Sequence, residues 1–207
     1  MSVDAIWSFS GSEWAERWMR PSTLSLDGLA DEELAAKAQA GSSDHFSQLV
    51  RRHTAGVYRV GYLLTGNRQE AEDIAQETFI KVYQAISRYR PGLPFKPWLY
   101  RIAINTSRSA GRKKKSRPET TGLNENEASL TDAAESVSAE LDALGVVKML
   151  PPDYRPVVIL RAVEGLSFSE ISGILEMPEP TARTKFHRAK ALLKARLAAI
   201  PDASTQR

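Results

Sequence analysis

The 207-residue chain contains no cysteine. Disulfides, cysteine-ligated zinc and thiol catalysis are thereby excluded. Histidine is almost as scarce: the three residues, His45, His53 and His187, lack the spacing of metal ligands. Apolar runs fall short of the roughly 20 residues that a membrane-crossing helix needs, and no charged-then-apolar leader opens the chain. We therefore expect a cytoplasmic protein that is not membrane-embedded and takes no metal or other cofactor. Paired carboxylates, a nucleophile–base pair and a phosphate-binding loop are also missing in any supporting context, so an enzyme with a small-molecule substrate is not expected.

Charge of one sign is missing over long stretches. Between Lys81 and Arg117 there are eleven Lys or Arg and no acid, and from Arg183 to Arg196 six more bases and no acid. Between Glu119 and Asp142 there are seven acids and no base. The formal net charge is only +3, so the segregation carries the information, not the sum. Two separated basic blocks suit a polyanion touched at two places, although a basic run alone also suits a solvated face. The acidic segment, rich in Ser, Thr, Asn and Ala, has little to bury and reads as a flexible linker.

The stretch PFKPWLYRIAINTSRSAGRKKKSR, Pro94 to Arg117, organises the first half. Its prolines end what precedes them and favour a helix start. At about 100° per residue, Leu99, Tyr100, Ala103, Ile104 and Ala110 fall on one side. Trp98, Arg101, Ile102, Asn105, Arg108, Ser109 and Arg112 fall on the other. Aromatics that stack, cations that hold phosphates and an amide that reads a base edge suit unstacked nucleic acid. A helix packed on both sides, with Trp98 in the core, fits the same pattern.

Ahead of it three helices are expected. Asp31 to Ala40 has acids in its first turn and Gly41 as its stop. Ser43 to Leu64 repeats Phe46, Leu49, Val50, Val57, Val60 and Leu64 at helical spacing and ends at Thr65-Gly66-Asn67. Arg68 to Arg88 buries Ala71, Ala75, Thr78, Phe79, Val82 and Ile86. Its opposite face carries Asp73, Gln76, Glu77, Ile80 and Gln84, which is either a docking surface for another protein or a solvated face with one stray apolar residue. Tyr89 to Pro94 then forms a breaker-rich loop. At the N-terminus, Trp7, Trp14 and Trp18 align on one stripe and belong to a tail, a docked helix or a partner-binding segment.

The second half also reads as helical. Leu141, Leu144, Val147 and Leu150 mark a helix stopped by Pro151-Pro152. Asp153 is placed to cap the next, which runs through Val157 to Val163. Ser167-Phe168-Ser169-Glu170 is a capping box. The helix it opens is followed by a turn at Glu176–Glu179 and a last helix that starts near Pro180 and continues to about Ala198. That pair reads as a helix-turn-helix. Ala182, Phe186, Ala189, Leu193 and Leu197 form the last helix's core stripe. Thr181, Arg183, Thr184, Lys185, His187 and Arg188 crowd its N-terminal end, where a recognition helix meets base edges. A helical hairpin with basic solvated residues is the plainer alternative.

The expected architecture is all-α: two small helical domains joined by the acidic linker, the second a helix-turn-helix four-helix domain. The boundaries are a Trp-containing extension at 1–27, the first domain at 28–117, the linker at 118–137, the second domain at 138–200 and a tail at 201–207.

Four blocks in order, DHFSQLVRRH, AEDIAQETFIKVYQAI, PWLYRIAINTSR and LPPDYRPVVILRAVEGLSFSEISGILEMPEPTARTKFHRAKALL, resemble the extracytoplasmic-function (ECF) sigma factors, small two-domain relatives of sigma-70. The resemblance spans about residues 28 to 198. It implies a bacterial initiation factor that binds RNA polymerase core, recognises and melts a promoter, and has an anti-sigma factor as a partner. It implies that Asp73, Gln76, Glu77, Ile80 and Gln84 meet the clamp helices of the largest polymerase subunit, with the flap as a further contact. It assigns the −10 element to Tyr89, Arg90, Phe95, Lys96, Trp98, Arg101, Asn105, Arg108 and Arg112, with Asn105 near the pocket for a flipped-out base. It assigns the −35 element to Thr181, Arg183, Thr184, Lys185, His187 and Arg188. Pro180 and Ala182 depart from the family's usual Gly and hydrophobic residue there, and Phe186 is positioned to fill the space that Ala182 leaves. The rival reading is a stand-alone helix-turn-helix regulator whose first domain senses a signal or dimerises. A third is an interaction module that makes no DNA contact through the last helix.

Overall fold

A computed structural model describes residues 26–115 and 143–198. The linker, the tail and all but two residues of the Trp-containing extension lie outside the described residues. Among those described, every regular element is helical. The chain forms two compact units, Met1–Ala110 and Gly111–Arg207. The division falls within a helix, ahead of the boundary expected after Arg117.

The first unit holds α1 (Asp31–Gln39), α2 (Ser43–Thr65), α3 (Arg68–Ala85), a 3₁₀ turn at Ile86–Arg88, and most of α4 (Phe95–Lys115). Local signals set the ends. Gly41 and Gly66 adopt positive φ of 100° and 72° where α1 and α2 stop, a conformation glycine takes without steric cost. The Asn67 side chain accepts a hydrogen bond from the Glu70 N–H at 2.9 Å and opens α3. Leu34, Phe46, Leu49, Val57, Ile74, Phe79, Leu99 and Tyr100 are buried in this unit. Each large apolar side chain so removed from water contributes about 1.5–3 kcal/mol. α2 and α3 approach closely at Gly61, where an added Cβ would meet Ala71 Cα at 3.3 Å and Ile74 Cγ2 at 3.4 Å.

In the second unit residues 143–148 are helical and form α5. α6 begins as an α-helix at Arg155–Val158 and widens into a π-helical turn at Ile159–Val163. The π turn is closed by Glu164 N–H donating to Ile159 O at 3.1 Å. It has no counterpart in the sequence expectations. α7 (Phe168–Leu175) and α8 (Glu179–Ala198) complete the unit. The capping box is present: Glu170 N–H donates to Ser167 Oγ at 3.2 Å and Ser167 N–H to Glu170 Oε2 at 2.7 Å. Between α7 and α8 the chain turns through Glu176, a non-glycine at φ 56°.

Two expectations are corrected here. Asp153 does not cap α6. The chain turns through Pro151–Tyr154, the N-cap is Tyr154, and no side chain caps it. Arg155 instead serves the preceding helix, donating to Leu150 O at 3.0 Å and Lys148 O at 3.3 Å. The core stripe of α8 also ends early. Ala182 and Ala189 are buried and Leu193 packs on Leu150, Val158 and Ala189, but Leu197 is 49% exposed. α8 runs on past the core it packs against.

Candidate nucleic-acid interface

α4 presents a sharply two-sided surface. Leu99, Tyr100, Ala103, Ile104, Thr106 and Ser107 are buried. Arg101, Asn105, Arg108 and Arg112 are exposed, spaced so that they form one row with Trp98 at its head. Trp98 itself is half-buried, so it is not a core residue: part of the indole packs inward and part meets solvent. Lys96 lies along the helix with its ammonium 5.8 Å from the Tyr100 ring centre.

Beneath Trp98 the aromatics form a platform. Trp98 is 5.3 Å from Tyr89 and 5.7 Å from Phe95 between ring centres, and Phe95 is 5.8 Å from Tyr89 and 5.6 Å from His53. Phe95 is 0% exposed and Tyr89 is 3% exposed. Both are buried against the indole, so of the aromatic residues that the resemblance assigns to the −10 element it is Trp98 that keeps solvent-facing ring surface. The Tyr89 hydroxyl also donates to Leu93 O, which closes the loop on itself. Arg90 is exposed on that loop, and Leu93 at its tip is 53% exposed, a residue the sequence reading did not single out.

The platform rests on a polar base. His53 Nε2 lies 2.7 Å from Asp31 Oδ2, and Arg52 pairs with the other carboxylate oxygen at 2.5 Å. Burial pushes the Asp31 carboxyl upward, but the hydrogen bond and charge of His53, then those of Arg52, outweigh it and hold the group below its ordinary 3.8. Burial, then the negative charges of Glu32 and Asp31, pushes the Tyr89 phenol above its ordinary 10.0.

On α3, Asp73, Gln76, Glu77, Ile80 and Gln84 share one face opposite the buried Ile74, Thr78, Phe79 and Val82. Asp73 and Gln84 are exposed, and the other three are partly covered. Glu77 is paired with Lys81 at 2.8 Å.

At the start of α8, Thr181, Arg183, Thr184, His187 and Arg188 are exposed. Arg183 is held by Glu179 at 2.8 Å and lies 4.9 Å over the Phe168 ring. Phe186 packs edge-on against Phe168 at 5.6 Å, beside the small, buried Ala182. Lys185 differs from its neighbours. It is half-buried, reaches Asp153 O at 3.4 Å and sits 5.9 Å from the Tyr154 ring. It is tethered to its own unit.

Each unit, with its basic exposed row, corresponds to a known family. Residues 49–117 match Sigma-70 region 2, and residues 142–193 match Sigma-70, region 4. The chain is 32% identical to the ECF RNA polymerase sigma factor SigE of Mycolicibacterium smegmatis, over 96% of this chain and 76% of that protein. It is 33% identical to the ECF RNA polymerase sigma factor SigW of Bacillus subtilis, over 78% of this chain and 93% of that one. Among solved structures, CnrH in complex with the cytosolic domain of CnrY is similar with a TM-score of 0.66 and 26% identity, covering 82% of this chain and 97% of that chain. The chain belongs to the ECF sigma factors of the sigma-70 family, which direct RNA polymerase to begin transcription at promoters. These relatives do not favour the stand-alone regulator. No helix among the described residues is long and apolar enough to cross a membrane.

Proposed function

We propose a division of labour among three surfaces. The outward face of α3, with Asp73, Gln76, Glu77, Ile80 and Gln84, docks on the clamp helices of the polymerase's largest subunit. The Trp98-Arg101-Asn105-Arg108-Arg112 edge of α4, with Arg90 and Lys96, takes the unpaired −10 strand. The start of α8, led by Arg183, Thr184 and Arg188, reads the −35 duplex in the major groove. The protein acts in the cytoplasm with polymerase and performs no catalysis of its own. Because the similar structure of CnrH holds a cytosolic partner domain, we further propose an anti-sigma partner for this chain.

The observation that carries the reading is the row on α4. Four polar or cationic side chains stand exposed on one edge while the opposite side of the same helix is buried. Unstacking a base costs a few kcal/mol, and stacking on an exposed aromatic surface returns ~1–3 kcal/mol per base. The half-covered Trp98 is seated to supply that surface, and Asn105 stands two turns along the same edge. Transcripts made by purified core polymerase with this protein, sequenced at their 5′ ends, should start at defined sites. Permanganate footprinting of those sites should show opening that Asn105→Ala impairs more than it impairs closed binding. Initiation without defined sites, or equal loss in both assays, would overturn the assignment.

A further inference from the structure

We propose that α1 sets the geometry of the Tyr89–Pro94 loop, with Glu32 and Gln39 as its positioning residues. The inference rests on the reading of that loop and the α4 edge as the strand-holding surface. It assigns a role to a helix that lies ahead of the segment matching Sigma-70 region 2.

The loop is bounded by two helix ends, and helix ends leave backbone groups without intrahelical partners. On the upstream side, Gln39 Nε2 shares its two N–H groups among the carbonyls of Ile86 at 3.1 Å, Ser87 at 2.9 Å and Tyr89 at 2.9 Å. On the downstream side, Glu32 Oε1 accepts from the Phe95 N–H at 3.0 Å, a donor that opens α4. Glu32 and Gln39 stand about two turns apart, which places them on one face of α1. Both ends of the loop are therefore fastened to one rigid rod.

Core packing does not account for this pair. α1 buries Leu34, Ala35 and Ala38, and neither Glu32 nor Gln39 belongs to that apolar set. What Glu32 and Gln39 add is a fixed span between the end of the 3₁₀ turn and the start of α4. Asp31 extends the same support, since its partner His53 packs on the Phe95 ring. Within the fastened ends the loop is further closed by Leu93 N–H donating to Arg90 O at 3.2 Å. A loop so held presents Arg90, Leu93 and Trp98 without first having to be ordered, which lowers the entropic cost of capturing a strand.

The test uses full-length protein reconstituted with core polymerase on a promoter located by transcript sequencing. Gln39→Glu has the same shape but cannot donate to carbonyls. Glu32→Ala removes the acceptor, and Glu32→Gln keeps a carbonyl oxygen that can still accept. Glu32→Ala should slow open-complex formation about tenfold, the worth of roughly one hydrogen bond, and Gln39→Glu at least as much, while Glu32→Gln stays within about twofold of the parent. Affinity for core polymerase should be unchanged in all three. Normal opening in both Gln39→Glu and Glu32→Ala would overturn the proposal. So would a loss in Glu32→Gln equal to that in Glu32→Ala, or a loss of opening matched by a loss of core affinity or by unfolding at the assay temperature. Asn105→Ala run in parallel separates the two levels. If it opens at the parental rate, the strand-holding reading fails; if it is slow while the α1 variants open normally, only the role of α1 fails.

Discussion

Lys81 Nζ lies 3.1 Å from Thr106 Oγ1 and 2.8 Å from Glu77 Oε1, so one ammonium joins the outward face of α3 to α4. Thr106 is fully buried, and its hydroxyl accepts this bond at the inner side of the basic helix. The Glu77 end is exposed and screened, so most of the value lies at the Thr106 end. Lys81→Met should cost about 1 kcal/mol in denaturant unfolding, and Lys81→Met combined with Thr106→Val should show a coupling of about 0.5 kcal/mol or more. Strictly additive costs would place the two groups out of contact.

Gly61 marks a close approach of α2 and α3. Its neighbours there include Ala71 backbone atoms, which cannot swing aside as a long side chain can. Gly61→Val should destabilise the first unit by about 1–3 kcal/mol through overpacking. The midpoint of chemical unfolding would fall with little change in its slope.

Two groups beside the platform give opposite pH signatures. Asp31 has a lowered pKa in the fold, so its contribution is fully present above the ordinary 3.8 and is lost as pH falls through the folded value. Tyr89 has a raised pKa, so its contribution is fully present below the ordinary 10.0 and is lost as pH rises through the folded value. Asp31→Asn should therefore flatten the acid limb of a stability-versus-pH curve, and Tyr89→Phe the alkaline limb. In the parent, the Tyr89 phenolate should form later than the ordinary value when ultraviolet absorbance is followed and compared with Tyr89→Phe.

Arg188 and Lys185 sit three residues apart yet should behave differently. Arg188 is exposed on the face proposed to meet the −35 element, whereas Lys185 is turned onto Asp153 O and the Tyr154 ring. Arg188→Ala should weaken −35 binding by about 1–3 kcal/mol and relax the preference at one base pair. Lys185→Ala should leave the base preference unchanged and show its main effect as a lower melting temperature. Gel shifts on a set of −35 variants, read beside thermal melts, separate the two.

What the sequence disclosed was what local physics controls. The capping box at Ser167 and Glu170, the glycine stops after α1 and α2, and the buried sides of α3 and α4 follow from periodicity and caps within a few residues. What it hid depends on contacts between distant positions. Gln39 meets carbonyls 47 to 50 residues away and Glu32 an amide 63 residues away, pairings that leave no periodic trace. Tyr89 and Phe95 carry the same aromatic signature whether they are exposed or buried, and only the fold shows that they meet edge to face beneath Trp98. Leu197 kept the spacing of a core residue after the core had ended. Nothing in ILRAV distinguishes a π turn from regular helix.

That widened turn at Ile159–Val163 gives the second unit an uneven tolerance to length changes. A π turn holds one residue more than an α turn, so removing a single residue there would let α6 relax into ordinary helix with its flanks nearly in place. The same deletion near the start of α8 would swing every later side chain by about 100° and break up the face proposed to meet the −35 element. Lineages that gain or lose a codon in this unit should therefore do so ahead of the capping box and leave α8 at constant length.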